Sequence, residues 1–319
     1  MRVWRCASAG EAQGARDVAA GAAVFVGGGT ALQFAWAREE PPRVLIPVGG
    51  LDGTRGITLG VDALRLGAAE TLETVRADPR VRRTAPMLAA ACGVIGSLAL
   101  RHVATIGGNV GWRHGDALAA LLALDAQALT AEGHWLPLSG LIAQPAQPRP
   151  QQALAQSQQA LAQPALAQPA LPLLVALRVP LAAGGDSWRF EKAGLRAAFT
   201  PSRLTLAMCA GEGDGPTIRW RVAVTGATLP ARRLPTVEAL LDRAMTAPRG
   251  QHEPDGGPAA ARGRPQSSQT QQPSSQMSPQ VQQMPPRALF DACANDLPQA
   301  GALARLAARL IAHHHRALT

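Results

Sequence analysis

The chain has 319 residues, of which 47% are hydrophobic and 17% charged, so it is long enough for two domains with separate cores. No stretch of eighteen consecutive residues is apolar throughout, and we therefore do not expect a membrane-spanning helix. The net charge of +9 comes from arginines spread along a chain with only 3% aromatic residues, which argues against a nucleic-acid-binding surface.

Residues 1–143 predict a first domain that mixes helices and strands. Strands are expected at 23–26 and 44–47, and hairpins pair 57–59 with 64–67 and 126–129 with 134–136. Helices are expected at 12–20, 32–37, 71–77, 87–100 and 117–123. Residues 1–16 lack the apolar core of a signal peptide, and we therefore predict a cytoplasmic protein.

Residues 173–319 predict a second domain. Its strands are expected at 173–179, 187–192, 204–209 and 218–225, and its helices at 236–243 and 299–314. Two low-complexity stretches flank or interrupt it: a proline-rich Gln/Pro linker at 144–172 and a disordered Gln/Ser/Pro insert at 246–286. Both are interpreted as inserted loops in preference to binding tails. The irregular order of helices and strands predicts an α+β fold rather than a doubly wound sheet.

A glycine-rich segment follows the first buried strand. Gly27, Gly28, Gly29 and Thr30 lead directly into the next predicted helix, which would start near Ala31. Glycine amides can approach a phosphate closely, and the N-terminus of a helix attracts its negative charge. The segment has neither the G-x-G-x-x-G spacing nor a P-loop lysine, and so a plain tight turn remains an equal alternative.

A second glycine segment, Thr105–Ile106–Gly107–Gly108–Asn109, predicts a second phosphate cradle in the same domain. Two such cradles suit a dinucleotide better than a single phosphate. Asp116, seven residues further on, has two open interpretations: it accepts hydrogen bonds from a ribityl or ribose hydroxyl, or it caps the helix at 117–123.

Three other features of the sequence could mark functional sites. Lys192 is the one lysine among 31 basic residues, and a single lysine is usually a solvated surface charge. The cysteines form no C-x-x-C pair, which predicts free thiols rather than zinc or iron–sulfur ligands; they are Cys6, Cys92, Cys209 and Cys293. Residues 313–315 are consecutive histidines that would point around a helix, so a solvated helix end is favoured and no metal site is expected.

Taken in order, these motifs resemble the FAD-binding subunits of molybdenum hydroxylases, the relatives of xanthine dehydrogenase, aldehyde oxidoreductase and carbon monoxide dehydrogenase. The resemblance rests on 28–30, 64–68, 101–109, Asp116, 121–126 and 137–138, and on the stretch Phe190-Glu-Lys-Ala-Gly-Leu-Arg-Ala-Ala-Phe199. It covers the three blocks that we expect to be ordered, at about 3–142, 173–243 and 299–314, and neither low-complexity stretch.

The resemblance implies a two-part FAD-binding domain of the PCMH type, shared with vanillyl-alcohol-oxidase-type flavoproteins. A small α+β domain like that of the carbon monoxide dehydrogenase flavoprotein would follow, built on a three-stranded sheet with helices. The subunit would accept electrons from the iron–sulfur clusters of a partner, which a molybdenum subunit feeds, and FAD would pass them to NAD or another acceptor. The chain would therefore work in a hetero-oligomer.

The resemblance also implies roles for single residues. The amides of Gly27–Ala31 would hold the pyrophosphate, and Thr105–Asn109 would form the second cradle, with Ile106 against the isoalloxazine ring. Asp116 would contact the sugar-alcohol side of the flavin, Leu174 would pack near the cofactor, and Lys192 would lie at the polar edge of the ring. A cation there would stabilise negative charge on the reduced flavin.

Two other functions remain open from the sequence. One is a stand-alone flavin oxidase of the same cofactor fold, although no substrate base is evident. The other is an assembly subunit that has lost FAD, which the short loop between Asn109 and Asp116 supports.

Overall fold

The computed structural model describes residues 1–19, 22–36, 41–143, 171–181, 187–194, 201–212, 218–246 and 285–318. The two low-complexity predictions, at 144–172 and 246–286, lie almost entirely outside the described residues. The second stretch overlaps described helices at its two ends, because Thr246 is the last residue of one helix and Pro286 is the first residue of the next.

Three short parallel strands form the first sheet, because apolar runs at the N-terminus alternate with helical segments. The elements are β1 (Arg2–Val3), α1 (Ala9–Val18), β2 (Ala23–Val26), α2 (Thr30–Trp36) and β3 (Val44–Pro47). The strand order is β1-β3-β2. The hydroxyl of Ser8 caps α1 by accepting the amide of Glu11, and a small core around Ala12 and Ile46 holds the helix on the sheet.

Five antiparallel strands form the second sheet, in the order β4-β5-β8-β6-β7. They are β4 (Ile57–Leu59), β5 (Ala63–Gly67), β6 (Gln127–Thr130), β7 (Trp135–Pro137) and β8 (Leu174–Pro180). The central strand β8 lies beyond residue 173, yet it pairs only with strands from residues 1–143. The chain therefore returns from the linker to complete this sheet before it enters the next one.

Helices between the strands cover the second sheet. They are α3 (Leu72–Ala77), α4 (Pro79–Thr84), α5 (Pro86–Gly93), α6 (Leu98–Arg101), α7 (Ile106–Gly111), α8 (Asp116–Ala123) and α9 (Leu138–Ala143). The single helix predicted at 87–100 is wrong, because Gly96 adopts a φ of 54° and Ser97 caps a new helix. Every residue of α8 is buried, which makes this helix the centre of the main core.

The third sheet has four antiparallel strands in the order β12-β11-β10-β9. Its elements are β9 (Ser187–Gly194), β10 (Ser202–Glu212), β11 (Ile218–Gly226), β12 (Leu229–Arg233), α10 (Pro235–Thr246), α11 (Pro286–Asp296) and α12 (Gly301–Leu318). The expected three-stranded sheet is corrected to four strands, because β12 was not predicted. This strand contains a proline and two arginines, which an edge strand tolerates but which do not give the apolar pattern of a strand.

The two faces of this sheet pack against different parts of the molecule. Along β10, Leu206 and Met208 join the core formed with α10, α11 and α12, while Ala207 and Cys209 join the core around α8. This alternation has the period of two that a strand imposes. As a result, α8 and β10 lie in direct contact, and the residues where they meet form the site described next.

Candidate functional site

The first glycine segment is held in place by close contact with the second. A Cβ atom on Gly27 would overlap the Thr105 hydroxyl, and one on Gly28 would overlap the carbonyl oxygen of Val103. Gly29 adopts a left-handed φ of 69° and its carbonyl accepts the amide of Gln33, so it forms the N-cap of α2. Glycine is therefore required here by packing and by backbone conformation.

The amides of this first segment are available to a ligand. Among the described residues, the amides of Gly28, Gly29, Thr30 and Ala31 have no hydrogen-bond acceptor. Thr30 and Ala31 lie in the first turn of α2, where helical amides have no partner within the helix. This segment can therefore donate several amides to one anionic group.

The second glycine segment differs from its prediction, because its amides are already used. The amides of residues 106–109 donate in order to Glu70 O at 2.9 Å, Ala68 O at 2.8 Å, Thr105 Oγ1 at 3.1 Å and Thr105 O at 2.9 Å. The hydroxyl of Thr105 caps α7 by accepting the amide of Gly108. In this structure these four amides are therefore bonded to the chain itself rather than free for a phosphate, and a role of Thr105–Asn109 at the cofactor stays a prediction.

Two side chains predicted to touch the cofactor are buried in the core. Ile106 is fully buried and therefore presents no surface to a flavin ring. Leu174, at the start of β8, also lies in the main core. Gly107 packs so closely on Ala68 that a Cβ atom would lie 2.7 Å from the Ala68 carbonyl oxygen. In this structure these residues contribute to packing of the core.

Asn109 is the polar side chain of this segment that remains unsatisfied. Its Oδ1 is buried and has no hydrogen-bond partner within the described chain, and it lies directly against Gly115. A buried amide oxygen without a donor costs free energy, and such groups are uncommon in folded proteins. A ligand donor at this position would remove that cost.

The loop from Trp112 to Gly115 is fixed on the third sheet. Arg113 has a φ of 58°, which is unusual for a residue with a side chain, and its carbonyl accepts the amide of Ala231 at 2.9 Å. The Nδ1 of His114 lies 2.8 Å from the carbonyl oxygen of Gly226. Since a carbonyl only accepts, Nδ1 carries the proton. Although this loop is short, it positions the residue that follows it.

That residue, Asp116, is the centre of a buried polar cluster. Its Oδ2 accepts from Lys192 Nζ at 2.7 Å, and its Oδ1 accepts from the hydroxyls of Ser202 at 2.7 Å and Thr205 at 2.5 Å. We name these four residues the Asp116 cluster. The carboxylate makes no capping bond to α8, whose N-cap is Gly115, so the interpretation of Asp116 as a helix cap is wrong.

Lys192 is not the solvated charge that a lone lysine usually is. Its side chain is 17% exposed, and its ammonium donates to Asp116 and, at 3.2 Å, to the carbonyl oxygen of Val94. An ammonium group has three N–H donors, and two have acceptors among the described residues. One donor therefore remains for a ligand.

Sequence reasoning did not identify Ser202 and Thr205, and no local signal would have found them. Residues three apart on a regular strand point to opposite faces. Here the pairing register shifts between Ser202 and Leu204, so that Arg203 forms a β-bulge and brings both hydroxyls to one side. Gly226 makes room for the bulge, since a Cβ atom there would overlap the Arg203 carbonyl.

The remaining candidate groups serve structure. His314 pairs with Glu191, and His315 stacks on Trp220 with ring centroids 5.2 Å apart, where burial lowers the pKa of His315. Burial also raises the pKa of the Cys92 thiol to about 12.

The described residues contain no group of three side chains suited to hold a metal ion. Within the same ranges, every helix falls short of the length or apolar character that a membrane crossing requires.

Comparison with known proteins defines the class of the N-terminal part. Residues 1–157 match the family described as FAD binding domain in molybdopterin dehydrogenase. A 69-residue stretch is 41% identical to XdhB of Escherichia coli K12, which is named as a xanthine dehydrogenase FAD-binding subunit. These matches place residues 1–157 in that FAD-binding domain family and support the resemblance stated above, and the predicted cofactor, FAD, is confirmed. The stretch matched to XdhB is 21% of this chain and 24% of that relative, about a quarter of its length.

Solved structures support the fold over nearly the whole chain. A carbon monoxide dehydrogenase from Hydrogenophaga pseudoflava, lacking the Mo-pyranopterin moiety of its cofactor, is similar with a TM-score of 0.66 at 19% identity, covering 100% of this chain and 96% of that one. Quinoline 2-oxidoreductase from Pseudomonas putida 86 gives 0.60 at 14% identity, covering 98% and 96%. The predicted α+β class is confirmed by this likeness.

The residues present fit a bound FAD. Considering the described residues alone, the first glycine segment has amides for a pyrophosphate, the buried Asn109 Oδ1 has no donor, and Lys192 retains one N–H donor. A chain of contacts joins these groups: Gly27 touches Thr105 at the start of α7, and Asn109, one turn along that helix, touches Gly115 beside Asp116. Groups for both ends of a dinucleotide are thus connected through α7.

Proposed function

We propose that the chain is the electron-transfer subunit of a molybdenum hydroxylase and that it holds FAD between the first glycine segment and the Asp116 cluster. The observation that carries this proposal is the sole lysine, which is fixed by a buried carboxylate and keeps one N–H donor without an acceptor among the described residues. A surface lysine would not be expected to have this environment, whereas a lysine that faces a cofactor would.

The chain's residues would divide the work between binding and chemistry. The amides of Gly28–Ala31 would bind the pyrophosphate together with the N-terminus of α2, and Asn109 would accept a hydrogen bond from a sugar or ribityl hydroxyl. The remaining N–H of Lys192 would face the polar edge of the flavin ring. When bound, FAD supplies reversible uptake of electrons, and a fixed cation beside the ring favours the negatively charged reduced form.

The similar proteins and the spacing of the cysteines support a proposal for the partners. We infer that electrons pass from a molybdenum subunit to a 2Fe–2S subunit and from there to the FAD of this chain. NAD or another acceptor would then receive the electrons from FAD. The similar solved structures come from carbon monoxide dehydrogenase and quinoline 2-oxidoreductase, and the similarity to XdhB favours a xanthine-dehydrogenase-like complex. Since the four cysteines lack cluster-type spacing, the clusters would belong to a separate subunit of a cytoplasmic hetero-oligomer.

Two measurements test this proposal. Titration of the full chain with FAD should give stoichiometric binding, seen as quenching of flavin fluorescence, and Lys192→Met should weaken it. Co-purification from the native host, followed by metal and flavin analysis, should recover molybdenum, iron and FAD with the chain. A tight complex without flavin would instead support an assembly subunit, and turnover of an organic substrate by the isolated chain would support a flavin oxidase.

A further inference from the structure

We propose that Ser202 and Thr205 are positioning residues of the flavin site: their hydroxyl groups fix the Asp116 carboxylate and, through it, the direction of the Lys192 ammonium. The inference deepens the proposed function and rests on it, because the lysine matters to catalysis only if a flavin lies beside it. Neither residue belongs to a motif that the sequence singled out.

The geometry assigns each carboxylate oxygen its own donors. Ser202 and Thr205 both donate to Oδ1, whereas Lys192 donates to Oδ2. A carboxylate that rotated part of the way about its Cβ–Cγ bond would lose the alignment of all three bonds. Ser202 is 4% exposed and Thr205 is fully buried, so water cannot easily replace either hydroxyl.

The backbone of the third sheet is arranged to bring these groups together. Thr205 on β10 is the direct cross-strand partner of Lys192 on β9, which places both side chains on the face toward α8. The bulge at Arg203 turns Ser202 to that same face, and the amide of Ala227 donates to the Ser202 carbonyl at 2.8 Å. Bulges commonly redirect a side chain next to an active site.

Fixing the carboxylate matters because lysine is flexible. A lysine side chain has a large rotamer entropy, and its second acceptor, the Val94 carbonyl, is 3.2 Å away. With the carboxylate immobilised, the ammonium has a defined position before the flavin binds. If the hydroxyl of Thr205 were absent, Asp116 would keep its charge but would hold Lys192 less firmly.

The single lysine allows a direct test. Acetylation of the full chain without FAD, by an N-hydroxysuccinimide ester, can be followed by mass spectrometry at Lys192 and normalised to the amino terminus. Acylation requires the amine to leave its carboxylate partner. The test variant is Thr205→Val, which keeps the shape of the side chain and removes its hydroxyl group. The conservative variant is Thr205→Ser, which keeps a hydroxyl group. The control is Thr225→Val, a fully buried cross-strand neighbour of Thr205 whose hydroxyl bonds to Leu229 O instead.

In the Thr205→Val variant we expect the reagent to acetylate Lys192 about tenfold faster than in the wild type, because one hydrogen bond to a charged group contributes a factor of about this size. We expect the same variant to bind FAD about tenfold more weakly. Thr205→Ser and Thr225→Val should stay within about twofold of the wild type in both assays. Equal acetylation rates in Thr205→Val and Thr225→Val would overturn the inference. Faster acetylation with unchanged FAD affinity and unchanged flavin reduction potential would overturn it as well.

Two further arms separate the possible failures. If the wild-type chain binds no FAD, the proposed function fails, while the acetylation rates still decide whether the hydroxyls position Lys192. If circular dichroism shows that Thr205→Val does not fold, Ser202→Ala removes the other hydroxyl without adding volume. It is expected to accelerate acetylation in the same direction, and a wild-type rate in that variant would contradict the inference.

Discussion

Replacing Asp116 by asparagine tests how much the buried ion pair between Asp116 and Lys192 contributes to the stability of the fold. Asparagine keeps the shape and an acceptor oxygen for the hydroxyls of Ser202 and Thr205, so the change mainly removes charge. The side chains of Asp116 and Lys192 are 9% and 17% exposed. Removing one partner of a buried ion pair costs about 3–5 kcal/mol. Because Lys192 can turn partly toward water, we expect a loss near the lower end, about 3 kcal/mol of unfolding free energy.

Urea denaturation followed by tryptophan fluorescence measures this loss. The control is Asp17→Asn, since Asp17 is 61% exposed and 4.0 Å from Arg16, and its change should stay within about 0.5 kcal/mol. Adding Lys192→Met to each background should show a coupling of at least about 1 kcal/mol between Asp116 and Lys192. A loss for Asp116→Asn no larger than that of the control would refute the buried ion pair.

Three other predictions follow from the same contacts. Gly28→Ala should weaken FAD binding at least about tenfold and destabilise the fold by about 1–3 kcal/mol, because the new methyl group would overlap a backbone carbonyl; Gly14→Ala, with open space around it, should do neither in the same titration and melt. Lys192→Arg should slow flavin reduction and weaken FAD binding more than Arg305→Lys, a change at an exposed arginine, because a planar guanidinium group cannot replace a compact ammonium group. Equal effects of the two substitutions would count against a position of Lys192 beside the flavin. Hydrogen bonds from two neighbouring arginines lower the pKa of Glu73 from 4.5 to about 2, so its stabilising contribution is complete above pH 4.5 and is lost as the pH falls toward 2. Glu73→Gln should flatten that part of the stability–pH curve, and an unchanged slope would show that Glu73 does not contribute to it.

The elements around the site could largely be predicted from local sequence. The apolar run of β2, the glycines after it and the helix that follows are adjacent in the chain, so pattern and backbone chemistry identify them. Asp116 and Lys192 were found through the order of family motifs, although 76 residues separate them. Their direct ion pair could not be predicted, because it depends on how α8 packs against β9 and β10.

The features that the local sequence did not reveal share a physical cause. A glycine segment has the same sequence whether its amides face a phosphate or the carbonyls of its own chain, and residues 106–109 are bonded to residues 68, 70 and 105. In the same way, the bulge at Arg203 depends on the space that Gly226 provides across the sheet. Both features depend on non-local packing, which the periodicity of one segment does not encode.

The most direct test of the account is a structure of the full chain bound to FAD. We predict that the pyrophosphate lies within hydrogen-bond distance of the amides of Gly28–Ala31 and that the polar edge of the flavin ring accepts a hydrogen bond from Lys192 Nζ. Lys192 should still contact Asp116 in that complex. A flavin ring bound elsewhere, with Lys192 and Asp116 remote from it, would contradict the central claim.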